Sequence, residues 1–171
     1  DIGGTTAGAL RRFKAYGNPF GGSTDPRTSG NGSIMRLAPV PMFFHRDYMK
    51  AVQCSAESSR TTHAAAECVM ACRLFGSMIF KALAGRAKEE ILLGNGDAGP
   101  FTGGIAAIAR GKYRDKTERH VRGFGYVVES LEAALWCFWH TDNYRDAVLK
   151  AVNLGDDADT TAAVCGQLAG A

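Results

Sequence analysis

With 171 residues, 46% of them apolar, and a net charge of +3, the chain is the size of one ordinary domain or of part of a larger one, and it can bury a real core. Its basic residues are scattered. The small clusters at Arg11-Arg12 and between Arg110 and Arg122 lack interleaved aromatics, which argues against a nucleic-acid stripe. No apolar run reaches the roughly 18 residues of a membrane span, and nothing reads as a signal peptide. The five cysteines (Cys54, Cys68, Cys72, Cys137, Cys165) are odd in number and form no C-x-x-C, so they read as buried thiols in a reducing, cytoplasmic setting.

In chain order, Asp1 to Lys14 reads as a loop and a helix, with Thr5 or Thr6 as cap and Ala9, Leu10 and Phe13 on one face. Gly17 to Gly32 is punctuated by Gly and Pro and reads as loop. Within Ser29-Gly30-Asn31-Gly32-Ser33-Ile34-Met35-Arg36, the glycines let backbone N–H groups approach a ligand, although Gly-Asn-Gly also makes an ordinary turn. Leu37 to Phe44, with two prolines, reads as a buried, interrupted helix start, and Asp47 to Arg60 as a helix. Thr61-Thr62-His63 precedes a long helix from about Ala64 to Leu83, with Cys68, Cys72, Phe75, Ile79 and Leu83 at helical spacing. A place near that helix N-terminus would lower the pKa of His63 and favour its neutral form, although a lone His is more often structural.

Lys88 to Leu93 is a short amphipathic piece and Gly103 to Arg110 a small helix. The charged stretch Lys112 to Arg122 reads as solvated surface. Val127 to Trp139 carries one broad apolar face, with Trp136 and Trp139 as packing residues. Asn143 to Val152 follows, with Ala147, Val148 and Val152 inward. No segment shows strand alternation with hairpin turns, so the expected class is all-α: one domain, a single orthogonal helical bundle whose glycine-rich loops converge on one face.

The closing stretch concentrates the chemistry. Asp156, Asp157 and Asp159 fall within four positions, followed by Thr160, Thr161 and a run of small residues. Clustered carboxylates repel unless a positive charge sits among them, and hard divalent cations take oxygen ligands of these types. The alternative is an Asp-rich helix cap that complements the helix dipole, but one Asp suffices for that. An EF-hand is disfavoured, because Ala162 and Leu168 stand where its Gly and Glu belong.

These residues resemble the ADP-ribosylglycohydrolase family, which includes the hydrolase acting on ADP-ribosylated dinitrogenase reductase. Gly155-Asp156-Asp157-Ala158-Asp159-Thr160-Thr161-Ala162 is similar to its Gly-Gly-Asp-Thr-Asp-Thr-x-Ala signature. Ser29 to Arg36 resembles its Gly-Asn-Gly-x-x-Met-Arg loop, Thr62-His63 its Thr-His pair, and Gly125-Tyr126-Val127 through Trp136 its Gly-Tyr-Val-x-x-x-Leu-x-Ala-Ala-Leu-Trp helix. The opening Asp1-Ile2-Gly3-Gly4-Thr5-Thr6 also resembles a family segment.

The resemblance implies an all-α fold with a cleft holding two Mg²⁺ or Mn²⁺ ions, and hydrolysis of the bond between ADP-ribose and a protein side chain, arginine being the expected acceptor. It implies Asp157, Asp159 and Thr160 as metal ligands. Ser29, Gly30, Asn31 and Gly32 would line the diphosphate and ribose. His63, Gly123, Gly125 and Tyr126 would lie along the ADP-ribose cleft, with Tyr126 as a gate, and Asp1 would be the acid–base residue. Expected partners are ADP-ribose or an ADP-ribosylated protein, with neither nucleic acid nor membrane.

Two departures qualify this. The signature's second Gly is Asp156 and its middle Thr is Ala158. The family's N-terminal Thr-Asp-Asp-Thr ligand segment has no counterpart, and the chain opens on Asp1 inside a motif, so it is expected to be the C-terminal two-thirds of the family domain. With half the ligands, one ion or none would be held, and a non-catalytic ADP-ribose binder, a structural relative of the crystallin kind or an inactive fragment is the rival expectation.

Overall fold

A computed structural model describes residues 2–171, and Asp1 lies outside the described residues. The described chain is all-helical: α1 (Gly4–Tyr16), α2 (Pro39–Phe43), α3 (Tyr48–Arg60), α4 (Ala66–Leu83), α5 (Lys88–Leu93), α6 (Gly103–Ala109), α7 (Val127–Trp139), α8 (Tyr144–Asn153) and α9 (Ala158–Ala169), joined by loops and short 3₁₀ turns. Extended pairing among the described residues is limited to two isolated bridges, Ser23 with His63 and Gly30 with Tyr126. No described helix is long and apolar enough to cross a membrane.

The longest helix, α4, organises the rest. Cys68, Ala71, Cys72, Leu74, Phe75, Met78 and Ile79 are all essentially inaccessible, so this helix is apolar on most of its circumference and must be surrounded. Helices α2, α3, α5, α6, α7 and α9 all pack on it. Its side chains join Ile34, Leu37, Ile105, Leu131, Leu135, Val164 and Leu168 in one core, where full burial of each Leu, Ile or Phe contributes about 1.5–3 kcal/mol. Four cysteines are buried and free, and Cys54 is half-buried and free. Trp136 is a packing residue whose indole N–H donates to Lys116 O at 2.9 Å.

Capping explains where several helices begin. Asp47 starts α3 by accepting from the Lys50 N–H at 3.1 Å, and Asn143 starts α8 by accepting from the Asp146 N–H at 2.9 Å. Helix α1 departs from expectation: Gly3 occupies the cap position without a side-chain bond, and neither Thr5 nor Thr6 caps. Only Ala9 of its apolar face is buried, while Leu10 and Phe13 are about half exposed. Met42 and Phe43 on α2 and Val152 on α8 are exposed as well, so the inward assignments hold for Leu37 and Ala147 but not for these. The charged stretch before α7 is also less plain than a solvated loop: Tyr113 is fully buried, Lys116 pairs with Glu132 and Lys150 with Glu118.

Small residues set the closest helix approach. A Cβ added at Gly76 on α4 would stand 2.2 Å from Ser55 Oγ and 2.6 Å from Ser55 Cβ on α3. Ser55 spends its hydroxyl on Ala51 O of its own helix, at 2.6 Å, so it presents a compact surface to the crossing. Gly76→Ala is expected to destabilise the protein by about 1–3 kcal/mol through overpacking, read from urea unfolding, and Ser55→Gly in the same chain should recover part of that loss. An unchanged unfolding midpoint in Gly76→Ala would contradict this account of the crossing.

Candidate active site

Three segments far apart in sequence meet at Asn31. The Ser29–Gly32 loop runs against the segment before α7: the Asn31 N–H donates to Gly125 O at 2.9 Å and the Val127 N–H donates to Ser29 O at 3.0 Å. The Asn31 side chain then reaches the aspartate loop, where its Nδ2 donates to Asp157 Oδ2 at 2.7 Å and to Ser130 Oγ on α7 at 3.2 Å. The aspartate loop is tied to the same segment from its other side, since the Asp157 N–H donates to Gly123 O at 2.9 Å. Gly123 needs its hydrogen side chain, because a Cβ there would lie 2.7 Å from Thr161 Oγ1.

Of the expected ligand residues, Asp157 is half-buried at the start of α9, Asp159 is exposed in the first turn and Thr160 is buried. Asp157 makes no capping bond to α9. Its carboxylate faces Asn31 instead, which tells against the simple cap. Asp156 is exposed, with φ +56°. As donors, two carboxylates and a hydroxyl suit a hard divalent cation. Among the described residues, however, no group of three His, Cys, Asp or Glu side chains is placed to hold a metal.

The loop expected to cradle an anion uses several of its backbone donors internally. The N–H groups of Ser29, Gly30 and Asn31 donate to Pro26 O, Thr28 O and Gly125 O. What the loop does offer is the Ser29 hydroxyl, which is buried, faces the Cys68 thiol and makes no well-formed hydrogen bond. Residues Asn31–Arg36 form a 3₁₀ turn rather than an α-helix start. That turn is anchored to α9 by Gln167, whose Oε1 accepts from the Ala38 N–H at 2.6 Å while Nε2 donates to Ile34 O at 3.0 Å and Met35 O at 3.1 Å.

His63 lies beneath the loop. It is 4% exposed, and a Cβ at Gly32 would come within 2.8 Å of its Cε1. Its Nδ1 pairs with Thr62 Oγ1 at 2.8 Å, and Arg36 donates to the same hydroxyl at 2.9 Å. Burial, and after it the Arg36 guanidinium, hold the imidazole below its ordinary pKa. The direction agrees with expectation, and burial and the Arg36 charge are causes that the sequence did not supply. Tyr126 marks the other side. Its phenol donates to Glu67 Oε2 on α4 at 2.8 Å, and burial followed by that carboxylate pushes its pKa up to about 12. Beside Gly123 a polar cleft of about 580 Å³ opens, lined by Thr117, Glu118, Arg119, Val121, Arg122, Asn153 and Leu154.

Asn31, His63, Gly123, Gly125 and Asp157 are thus brought together with Ser29, Gly30 and Gly32, and Tyr126 is paired with Gly30. Arg36, the last residue of the Ser29 to Arg36 motif, takes its place through Thr62, whereas Ser130, Glu67 and Gln167 are additions whose only signal is their placement on α7, α4 and α9. Because the folded pKa of His63 lies below the roughly 6.5 of an unfolded His, the stability from its neutral form is complete above that value. It is lost as pH falls, when the unfolded chain takes up a proton that the folded one resists. Urea unfolding between about pH 7 and pH 5 is expected to show this decline, flattened in His63→Gln; an identical slope in the variant would refute it.

The chain is similar to known proteins along its whole length. The sequence model of the ADP-ribosylglycohydrolase family matches residues 1–171. The chain is 38% identical over 171 residues to ADP-ribosylarginine hydrolase Tri1 of Serratia proteamaculans (strain 568), and 42% identical over 175 residues to the protein of the same name from Pseudomonas putida (strain GB-1). Each match covers 100% of this chain and 46% of the relative, so the chain spans about half the length of these curated relatives. A solved structure described as an ADP-ribosylglycohydrolase-related protein complex superposes with a TM-score of 0.86 at 35% identity, covering 98% of this chain and 58% of that one. With the helical fold, the Asn31-centred site and a match along its whole length, this chain belongs to the ADP-ribosylglycohydrolase family.

Proposed function

We propose that this chain is part of a hydrolase that removes ADP-ribose from a modified arginine side chain by cleaving the N-glycosidic bond. The carrying observation is the convergence of the Ser29–Gly32 loop, the Gly123–Tyr126 segment and Asp157 on one asparagine. The relatives named ADP-ribosylarginine hydrolase support arginine as the acceptor.

In this reading Asp157, Asp159 and Thr160 hold Mg²⁺ or Mn²⁺. When bound, such a cation supplies Lewis acidity and lowers the pKa of a coordinated water. The chain's own residues bind and orient. Ser29, Gly30 and Gly32 line the diphosphate and ribose, His63 supports the loop from beneath with its pKa lowered by burial, and Tyr126 borders the loop at Gly30. Fixing the sugar relative to the attacking water lowers the barrier by orientation. Carboxylates near the anomeric carbon stabilise the oxocarbenium-like charge that develops there. Asp1 is the proposed acid–base residue.

One observation favours a second reading, an ADP-ribose binder without catalysis. Three oxygen-bearing side chains supply half of the roughly six oxygens an octahedral ion takes, leaving the rest to water, enough for one weakly held ion rather than two, and no third carboxylate joins Asp157 and Asp159 among the described residues.

Titration of the intact protein with Mn²⁺ separates these. A cation binding only the folded state at 100 times its Kd stabilises it by about 2.7 kcal/mol, seen as a rise in thermal midpoint. Asp157→Ala and Asp159→Ala should abolish that rise and reduce release of ADP-ribose from ADP-ribosylarginine to background. A metal response that survives in both variants would exclude these residues as ligands, and wild-type binding of ADP-ribose without turnover would support the binder.

A further inference from the structure

We propose that Ser130 is a positioning residue: its hydroxyl orients the Asn31 amide, and through that amide it holds the Asp157 carboxylate ready for a divalent cation. The inference rests on the reading of Asp157 as a metal ligand.

Ser130 lies in α7 and is fully inaccessible, on a helix whose neighbouring buried positions are Val127, Leu131, Ala133 and Ala134. A buried hydroxyl in apolar surroundings costs free energy unless it is bonded, and alanine would fill nearly the same space. What the hydroxyl does here is accept from Asn31 Nδ2 at 3.2 Å. The same nitrogen donates to Asp157 Oδ2 at 2.7 Å. An amide nitrogen carries two hydrogens, so both are spent.

The Asp157 carboxylate decides which way the amide faces: turned over, Asn31 would set its own carbonyl oxygen against a carboxylate oxygen. The Ser130 hydroxyl, which can accept or donate, adds a second bond to the amide and so fixes its tilt toward Asp157. Without the Ser130 hydroxyl, only one bond resists rotation of the amide. Ser130 is itself well anchored: its N–H donates to Tyr126 O at 3.0 Å, and α7 is pinned to the glycine loop through the Val127 N–H and Ser29 O. The carboxylate of Asp157, which makes no bond to its own helix, is therefore aimed from α7 by way of a loop asparagine. Outer partners of metal ligands commonly matter by about 10–100-fold in affinity; Ser130 stands one bond further out.

Mn²⁺ affinity of the intact protein, measured by calorimetry, tests this as a double-mutant cycle. Asn31→Ala should weaken Mn²⁺ binding about 10-fold or more. Ser130→Ala should weaken it about 3- to 10-fold in the wild-type background and not further in the Asn31→Ala background, and Ser130→Thr, which keeps the hydroxyl, should bind more tightly than Ser130→Ala. Equal affinity in Ser130→Ala and wild type overturns the inference while leaving the metal reading intact. So does a loss that persists undiminished in the Asn31→Ala background, which is what a general packing defect would produce. A wild type that binds no Mn²⁺ overturns the metal reading and this inference together.

Discussion

The hydrogen bond from Asn31 to Asp157 joins residues 126 positions apart, and the site has its shape because of it. Neither partner is placed by its own neighbours. Asn31 sits in a loop whose backbone is paired to the stretch before α7, and Asp157 opens a helix it does not cap. The turn that carries Asn31 packs on α4, α7 and α9, and the aspartate turn is tied to the segment before α7 through the Asp157 N–H and Gly123 O. Gln167 adds three bonds between α9 and the 34–38 segment, so α9 and that segment cannot slide past one another without breaking them. The register between loop and aspartates is therefore set by bonds to α7 and α9 together.

Most of the fold is legible in the sequence. Helical spacing in the 66–83 and 127–139 stretches, the helices read over 47–60 and 143–152 and the absence of strand alternation all point to helices that the structure contains. What periodicity does not supply is whether a face has something to pack on. Leu10 and Phe13 have the right spacing and remain exposed, because spacing describes one helix and burial requires a second. The Gly76–Ser55 crossing is silent for the same reason: a glycine inside a helical run reads as a weakness until the facing helix is known.

At the site, the local motifs are legible and the cross-connections are not. The glycine loop, His63, the Gly-Tyr segment and the aspartates stand out by composition. Ser130 does not, because a lone serine in an apolar helix carries no pattern; its role depends on Asn31, which approaches from another part of the chain. The pKa of His63 shows the same limit. A dipole is read from position in sequence, whereas the burial and the Arg36 charge that lower it arise from packing. Likewise, the anion-binding look of the glycine loop takes no account of the carbonyls of Pro26, Thr28 and Gly125 that occupy its donors.

Gly155 and Asp156 follow one another with φ of +78° and +56°, and Asp156 is the one non-glycine residue with positive φ among the described residues. Left-handed backbone costs most side chains roughly 1–2 kcal/mol and is eased for Gly, Asn and Asp. The demand at this position is therefore conformational: the chain must reverse its twist for two residues so that Asp157 arrives pointing at α7 rather than along α9. Glycine meets that demand through freedom, and aspartate meets it as one of the few chiral residues that tolerate it. A Gly-Gly pair and a Gly-Asp pair thus spell the same bend, and the extra carboxylate at 156 is a passenger of the backbone, turned to solvent.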